Sequence, residues 1–407
     1  MKNIAIYTLT SELHDEQAVN AMTREFLDSM HECSPSNVQR PMTYDLMGAD
    51  YGSYGQHALD LIYVRTGGTE GIFKRLLPQL QQQSSRPFHL LTSGKSNSLA
   101  ASMEILSYLR QNGFKGEIIH GTTDYISTRI QLLAKAGEAK EHLKGCRLGI
   151  IGQPSDWLIS SHANEAVIKD KLGIELVSIP MQELLDIIKS TPLEDITLTA
   201  PSEAIQQALP GAGQIYQSLK TLVSRNNLQG FTLRCFDLLT AVRNTGCLAL
   251  AKLNAEGVVS GCEGDVPTML SMAIIQALTG VSGFQANPSR INPETGEMLF
   301  AHCTIPLNMV ERYELDTHFE SGIGVGIRGY MQDGPVTIFK VSGDLSRHFI
   351  AEGELIRTQA EADLCRTQQV ILLKDKSLTD YFLREPIGNH HVIVAGHHQE
   401  LLEEVLR

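Results

Sequence analysis

Short apolar runs alternate with helical patterns through the first 145 residues, and this alternation limits the fold more than any other feature of the sequence. Four runs are predicted to be strands, at residues 3–7, 59–64, 89–92 and 117–120. A helical pattern over residues 99–111 separates the last two strands. Strands that alternate with helices form a parallel sheet with helices on both faces, so residues 1–145 are predicted to form a Rossmann-like or flavodoxin-like domain.

The same alternation restarts at residue 147 and predicts a second Rossmann-like or flavodoxin-like α/β domain over residues 146–290. Its later strands are predicted at residues 174–179, 232–236 and 258–261. A helix over residues 268–279 is predicted to stop at Gly280, because glycine readily adopts the left-handed conformation that ends a helix.

The pattern changes after residue 290, where closely spaced strands replace the long helices. These strands are predicted at residues 298–304, 323–329, 336–341, 353–358, 368–373 and 391–395. Closely spaced strands joined by short turns indicate a β-rich barrel or sandwich, which we assign to residues 291–407.

The amino-acid composition limits which binding partners and which cellular compartment we expect for the protein. The chain has 407 residues, of which 42% are hydrophobic and 20% charged, and these proportions are typical of globular proteins. Its net charge of −12 does not provide the electropositive surface that nucleic acids require. No apolar stretch approaches the roughly 18 residues of a membrane-spanning helix, and the seven cysteines include no CxxC pair. We therefore expect a cytoplasmic protein with reduced thiols and with no nucleic-acid or membrane partner.

Two carboxylates lie together where a predicted strand of the second domain meets a predicted helix, in the segment Gly261-Cys262-Glu263-Gly264-Asp265. Loops at the carboxyl edge of a parallel sheet commonly line ligand sites. Asp265 also suits the N-cap of the following helix, and that structural role leaves Glu263 unexplained.

Histidines occur in two predicted strands of the third domain. His302 lies in an apolar strand, and His390 and His391 stand at the start of another. A single histidine in such a strand is often a hydrogen-bonded core residue. Adjacent strand residues point to opposite faces, so only one of His390 and His391 can face a given site. One carboxylate and two imidazoles would suit Mn²⁺, Zn²⁺ or Fe²⁺.

Six short segments resemble sequence motifs of the L-fucose and L-arabinose isomerase superfamily. The resemblance is greatest to its short fucose isomerase-like members. They are Gln153-Pro154-Ser155-Asp156-Trp157, Arg234-Cys235-Phe236-Asp237, Cys262-Glu263-Gly264-Asp265, Ala286-Asn287-Pro288, Ala301-His302-Cys303-Thr304 and His318-Phe319-Glu320-Ser321-Gly322. The order of the predicted domains is also similar. The resemblance implies a C-terminal barrel of the fucose/arabinose isomerase type and a homo-oligomer, either a trimer or a hexamer.

The resemblance also implies a metal centre. The superfamily binds a divalent metal, usually Mn²⁺, through two acidic residues and one or two histidines. Glu263 and His302 match two of these ligands, and His391 best matches the late histidine, with His390 as the alternative. Asn287 stands where the second acidic ligand is expected. A carboxamide oxygen can bind a hard metal ion, but a carboxamide cannot act as a base.

Catalytic and substrate-binding residues follow from the same resemblance. In the superfamily the acidic pair moves the proton between two carbons, so Glu263 is implied as the base. Either Glu263 carries out most of the proton transfer with metal-bound water, or Asp265 or Glu320 replaces the missing carboxylate. Substrate-binding roles are predicted for Trp157, Asp237, His390 and Glu320. An indole face can stack on the C–H surface of a sugar ring.

The leading functional interpretation is a metal-dependent aldose–ketose isomerase that acts on a free monosaccharide through an ene-diol. Asn287 keeps two alternatives open. One is a related enzyme with altered chemistry, such as an epimerase, lyase or hydrolase. The other is a non-catalytic sugar-binding protein on the same scaffold.

Overall fold

The computed structural model describes residues 3–32, 42–193 and 198–407. The chain divides into two compact units. The first comprises Met1–Glu141 together with Glu404–Arg407, and the second comprises His142–Glu403. Within the described residues, no helix combines the length and apolarity that a bilayer crossing requires.

The first unit is built on a five-stranded parallel sheet. Its strands are β1 (Ile4–Leu9), β2 (Asp45–Gly48), β3 (Leu59–Val64), β4 (Phe88–Leu91) and β5 (Gly116–Ile119). Its helices are α1 (Glu16–Glu32), α2 (Glu70–Gln83), α3 (Ser98–Gln111) and α4 (Thr123–Leu143). The strand order β2-β1-β3-β4-β5 is the flavodoxin-like order. Every residue of β1 and β3 is buried, as expected for strands covered on both faces.

The second unit begins with a four-stranded parallel sheet in the order β7-β6-β8-β9. Its strands are β6 (Arg147–Ile151), β7 (Glu175–Ile179), β8 (Gly230–Leu233) and β9 (Val259–Cys262). Its helices are α5 (Glu165–Leu172), α6 (Met181–Ser190), α7 (Glu203–Arg225), α8 (Phe236–Ala241), α9 (Cys247–Ala255) and α10 (Val266–Thr279). The alternation of strands and helices predicted from the sequence is therefore confirmed in both sheets.

A closed six-stranded antiparallel barrel completes the second unit, with strands in the order β10-β11-β16-β15-β14-β17. The barrel strands are β10 (Phe284–Asn292), β11 (Glu297–His302), β14 (Gly334–Val341), β15 (His348–Gln359), β16 (Thr367–Leu373) and β17 (His391–Ala395). The strands β12 (Arg312–Asp316) and β13 (Gly326–Tyr330) form a separate hairpin. Two short helices follow, α11 (Thr379–Arg384) and α12 (Gln399–Leu406). The β-rich C-terminal region is thus a barrel.

Helix α10 connects the four-stranded sheet to the barrel. It contacts β8 and β9 on the sheet and β10, β14 and β17 of the barrel. All of its residues are buried except Gln276, Ala277 and Thr279. A helix that is apolar on every side must be enclosed on every side, and this composition places α10 between two layers. The helix ends at Gly280 with φ 82°, which confirms the predicted C-cap.

Strand β10 was not predicted from the sequence pattern, because Pro288 cannot donate a ladder hydrogen bond and lowers the strand signal. The register of β10 with β11 shifts between Pro288 and Arg290, so a bulge accommodates the proline. The boundary predicted between residues 290 and 291 falls inside this strand, and the division of the chain into three domains stays a prediction. Strand β8 also ends at Leu233, not at residue 236, because α8 begins there.

We predict that Leu270→Ala, in the middle of α10, lowers the free energy of unfolding of the second unit by about 2 to 5 kcal/mol, because the side chain is fully buried and its removal leaves a cavity. Leu372→Ala is the matched control, since Leu372 is 38% exposed on β16. We expect a loss of about 1 kcal/mol or less there. Urea unfolding followed by Trp157 fluorescence measures both, and similar losses would contradict the central position of α10.

Candidate functional site

The turn between β9 and α10 presents Glu263 at the carboxyl edge of the four-stranded sheet. Strand β9 ends at Cys262, and Asp265 caps α10 by accepting a hydrogen bond from the Thr268 amide at 2.9 Å. Two residues therefore lie between the end of the strand and the capping residue Asp265, namely Glu263 and Gly264. Both adopt positive φ, at 64° and 72°.

A left-handed conformation costs a non-glycine residue about 1 to 2 kcal/mol, so Glu263 must be held in it by its surroundings. Its carbonyl accepts a hydrogen bond from the Ser155 amide at 2.9 Å, and the Gly264 amide donates to the Leu233 carbonyl at 3.1 Å. Backbone strain of this kind often accompanies functional positions. It is consistent with a site at Glu263.

Gln285 of β10 fixes the residue before Glu263. Its Oε1 accepts a hydrogen bond from the Cys262 amide at 2.8 Å, and its Nε2 donates to the Cys262 carbonyl at 3.3 Å. A barrel strand therefore holds the end of a sheet strand. Sequence analysis did not identify this residue, because a glutamine in an apolar segment carries no signal of its own.

Two imidazoles from the barrel face the Glu263 carboxylate. His302 ends β11, and its Nε2 lies 3.7 Å from Glu263 Oε1. His390 precedes β17, and its Nε2 lies 3.5 Å from the same oxygen. One donor atom from each of the three side chains lies within 4.8 Å of the others. The predicted convergence of Glu263, His302 and one of the two late histidines is confirmed.

The preference for His391 over His390 is corrected by the structure. The two residues point to opposite faces, and it is His390 that faces Glu263. His391 Nδ1 lies 3.0 Å from the Asn389 carbonyl, and its Nε2 lies 3.0 Å from the Tyr381 hydroxyl. Both of its ring nitrogens are therefore already used. Burial lowers the pKa of His391 to about 3, with the Lys340 ammonium adding to the effect.

Asp265 lies behind His390. Its Oδ2 is 2.9 Å from His390 Nδ1 and 3.5 Å from Lys340 Nζ, and both partner side chains are fully buried. A carboxylate accepts hydrogen bonds, so Nδ1 of His390 carries a proton and Nε2 is the nitrogen left for another partner. The buried Nε2 has no hydrogen-bond partner. Carboxylate–histidine pairs of this geometry orient metal-ligating imidazoles.

His302 is oriented in a similar way by a neighbour in sequence. Its Nδ1 lies 3.0 Å from the hydroxyl of Thr304, which directs Nε2 toward Glu263. The two imidazole rings are close, with centroids 5.4 Å apart. Each histidine thus has one nitrogen fixed by the protein and one facing the shared carboxylate.

The charges of the site are strongly coupled. Burial raises the pKa of the Glu263 carboxyl, but the imidazoles of His390 and His302 outweigh this and hold the pKa well below its usual range. Burial lowers the pKa of His390, but the Glu263 and Asp265 carboxylates outweigh this and raise the pKa to about 9. The arrangement therefore favours a positive charge beside Glu263 Oε1.

These residues fit a divalent cation. Donor atoms about 2.0 to 2.2 Å from one tetrahedrally bound ion lie roughly 3.3 to 3.6 Å apart, close to the two carboxylate–imidazole distances in the site. The unpartnered Nε2 of His390 is the kind of buried polar atom that a metal ion would satisfy. A donor set of one carboxylate and two imidazoles suits Mn²⁺, Zn²⁺ and Fe²⁺.

Three ring side chains, Trp157, Phe236 and His318, border the site and are called here the aromatic wall. Trp157 donates a hydrogen bond from Nε1 to Glu263 Oε2 at 2.6 Å and packs edge-on against Phe236, with ring centroids 4.8 Å apart. Phe236 in turn packs against His318, which sequence analysis did not select as a site residue. Burial lowers the pKa of His318 to about 4, and His302 contributes, so this ring is neutral at neutral pH.

Glu320 and Asp237 were also predicted as substrate-binding residues, and the structure gives each a different environment. Partial burial and the nearby Glu263 charge raise the pKa of Glu320. Asp237 accepts a hydrogen bond from Arg234 Nε at 3.1 Å, and the same guanidinium binds both carboxylate oxygens of Asp156 at 3.2 and 2.9 Å. The structure thus ties Asp237 to the Trp157 segment through Arg234.

Asn287 lies on β10 and pairs in register with Ala301, the residue before His302. Its amide oxygen accepts a hydrogen bond from Asn389 Nδ2 at 3.2 Å, and Asn389 directly precedes His390. Asn287 is therefore paired with, or hydrogen-bonded to, the residues that directly precede the two histidines of the site. Whether it binds a metal stays a prediction.

Similar proteins are known, although no family model matches the chain. Proteins named sulfoquinovose isomerase from Alkalicoccus urumqiensis and Priestia megaterium are 22% and 23% identical over 265 and 266 residues. Each alignment covers 60% of this chain and 59% of the relative. A third, from Clostridium sp. (strain MSTE9), is 24% identical over 223 residues, or 52% of this chain and 48% of the relative. The chain thus spans about half to three fifths of the length of these relatives.

We predict that His390→Asn weakens Mn²⁺ binding by more than about 100-fold, since changes to residues behind a ligand alone cost about 10- to 100-fold. His391→Asn is the matched control and should change the affinity far less, because both nitrogens of His391 are already used by Tyr381 and Asn389. Isothermal titration with MnCl₂ measures both, after circular dichroism has shown that each variant is folded. Equal losses of affinity would mean that the two histidines are not distinguished as the structure distinguishes them.

Proposed function

We propose that the protein is a metal-dependent aldose–ketose isomerase that acts on a free monosaccharide. The observation that carries this proposal is the placement of Glu263 Oε1 opposite the Nε2 atoms of His302 and His390. A carboxylate beside two oriented imidazoles provides both a base and a metal-binding donor set. The similarity to proteins named sulfoquinovose isomerase supports a sugar isomerase.

We also propose that the fold is that of the fucose and arabinose isomerases, which agrees with the proposed reaction. The barrel of the second unit fits the C-terminal barrel that the resemblance to the fucose and arabinose isomerases implies. Three sequence-distant residues, 263, 302 and 390, meet beside that barrel at the carboxyl edge of a parallel sheet. Ligand sites in α/β proteins commonly occupy this edge.

Glu263, His302 and His390 would hold the divalent cation, and Mn²⁺ is our expectation. Bound there, the metal would polarise the substrate carbonyl and its neighbouring hydroxyl and lower the cost of negative charge on their oxygens. Asp265 and Thr304 fix the imidazoles that face it. Asn287 stays a proposed oxygen ligand.

Glu263 is the proposed base of the reaction. Conversion of an aldose to a ketose removes a proton from carbon 2 and returns one to carbon 1, through an ene-diol. Glu263 is 12% exposed at its side chain, which leaves it accessible beside Trp157, whereas Asp265 is 0% exposed. We therefore propose that Asp265, predicted from the sequence as a second catalytic residue, is a positioning residue for His390 and does not itself reach substrate.

Glu320 is the better candidate for the second acid–base group. Its raised pKa contrasts with the lowered pKa of Glu263, and the charge on Glu263 contributes to that rise. Two carboxyl groups whose pKa values are pushed apart can serve as a base and an acid in one site. Glu320 would then carry the proton that moves between the carbonyl and hydroxyl oxygens of the substrate.

The substrate is proposed to bind against the aromatic wall. Half of Trp157 is exposed, and the face of its ring could stack on the C–H surface of a sugar while Asp237 and Glu320 bind hydroxyl groups. A sulfonated hexose is one candidate, because the similar proteins are named for sulfoquinovose. A cytoplasmic homo-oligomer, either a trimer or a hexamer, remains part of the proposal.

We predict that Glu263→Gln abolishes aldose–ketose turnover and leaves the fold intact, because the change is nearly isosteric and removes the base. The assay supplies Mn²⁺ and a panel of fucose, arabinose, ribose and sulfoquinovose, and it follows the ketose product. Glu294→Gln is the control, since Glu294 is exposed in the turn that follows β10. Clear turnover by Glu263→Gln would assign the base to another residue, and a parent protein inactive on all four sugars would oppose the proposed reaction.

We also predict that Asn287→Asp raises Mn²⁺ affinity and makes it more dependent on pH, because a second carboxylate adds an anionic ligand and increases the proton affinity of the acidic pair. Affinity should fall more steeply between pH 8 and pH 6 in this variant than in the parent. Asn292→Asp adds the same charge at the far end of β10 and serves as the control. Unchanged affinity and pH dependence would show that position 287 does not contribute to the metal centre.

A further inference from the structure

Trp157 is the only tryptophan of the chain, and its position is unusual. Half of the residue is exposed to solvent, yet its indole N–H donates a 2.6 Å hydrogen bond to Glu263 Oε2. An exposed indole could donate to water at no cost in ordering. A short bond to a carboxylate in the centre of the site therefore needs a surrounding structure that holds the indole in place.

That surrounding structure is present. Arg234 donates to the Pro154 carbonyl at 2.8 Å and to both carboxylate oxygens of Asp156. The Ser155 amide donates to the Glu263 carbonyl at 2.9 Å. The segment that carries Trp157 is thus tied at three consecutive residues, two of them to Arg234 and one directly to Glu263.

Gly264 allows this segment to approach closely. A Cβ atom at position 264 would lie 2.5 Å from the Gln153 carbonyl oxygen and 2.8 Å from Pro154 Cα. Both distances are too short for a side chain, so glycine is required at this point as well as by its φ of 72°. The Trp157 segment therefore rests on the backbone of the turn that presents Glu263.

The two carboxylate oxygens of Glu263 consequently have different partners. Oε1 faces the Nε2 atoms of His302 and His390, at 3.7 and 3.5 Å. Oε2 accepts the indole N–H of Trp157. The terminal torsion of a glutamate is soft, so without a partner on Oε2 the carboxylate could rotate and exchange its oxygens.

We propose that Trp157 is a positioning residue for the metal centre, which holds Glu263 Oε2 through its indole N–H and reserves Oε1 for the cation. The inference rests on the proposed function for the presence of that cation. Trp157 acts on the metal through Glu263 and does not itself bind it. Loss of the N–H alone, with the ring retained, should therefore weaken metal binding.

The first test detects the hydrogen bond itself in metal-free protein. Because the chain has one tryptophan, a ¹⁵N-labelled sample gives one indole Nε1–H resonance. We expect Glu263→Gln to move that resonance upfield, since a neutral amide accepts a weaker hydrogen bond than a carboxylate. Glu294→Gln should leave it in place. A resonance that does not respond to Glu263→Gln would overturn the proposal.

The second test removes only the N–H. Benzothienylalanine placed at position 157 replaces the indole N–H by sulfur in a ring of nearly the same shape, and 4-fluorotryptophan at the same position keeps the N–H. Changes behind metal ligands typically cost about 10- to 100-fold in affinity. We expect the benzothienyl protein to bind Mn²⁺ at least about 10-fold more weakly than the fluorotryptophan protein, by isothermal titration. Trp157→Phe should behave like the benzothienyl protein.

The outcomes separate this inference from the proposed function. Equal Mn²⁺ affinity in the benzothienyl and fluorotryptophan proteins would overturn the positioning role, whatever the activity. A parent protein that binds Mn²⁺ but converts no aldose would overturn the isomerase assignment and leave the positioning role supported by the difference in affinity. Equal thermal stability of the two proteins identifies the lost affinity as an effect on the site and not on the fold.

Discussion

The buried carboxylate of Asp265 is the interaction on which the rest of the site depends. It caps α10 through the Thr268 amide, pairs with the Lys340 ammonium and accepts a hydrogen bond from the Nδ1–H of His390. Asp265, Lys340 and His390 are all 0% exposed. Removing one partner from a buried ionic group is costly, because the other charges remain without compensation. One carboxylate thus starts the central helix, joins it to the barrel and orients an imidazole.

Asp265 and Glu263, two acidic residues only two positions apart, therefore have different roles. Asp265 is fully buried and orients other groups, whereas Glu263 lies in a strained turn and presents its carboxylate to the two imidazoles. The strain at Glu263 is balanced by a hydrogen bond from the Gly264 amide to the Leu233 carbonyl of β8 and by one from the Ser155 amide to the Glu263 carbonyl. Gln285 of the barrel also fixes Cys262, the residue before Glu263. Because these hydrogen bonds already hold the site rigid, ligand binding loses less conformational entropy, since few groups remain to be ordered.

Much of the fold was predictable from local pattern. The strand Leu59–Val64 and the strand His391–Ala395 were predicted at their observed bounds, and the end of α10 at Gly280 was also predicted. The two strands are recognisable as short apolar runs, and the helix end is recognisable by its glycine, so neighbouring residues alone are sufficient to predict them. Strand β10 was missed because Pro288 conceals it, and only pairing with β11 and β17 makes it a strand.

The sequence by itself determined which residue types could carry chemistry, and it identified Glu263, His302 and the pair His390-His391. Only the tertiary structure decided between the two adjacent histidines, because side chains alternate across a strand and packing chooses the face that is buried. The same holds for Lys340, which is 75 positions from Asp265 and pairs with it only because α10 packs on the barrel. Local periodicity determines elements, whereas contacts between distant elements determine which charges meet.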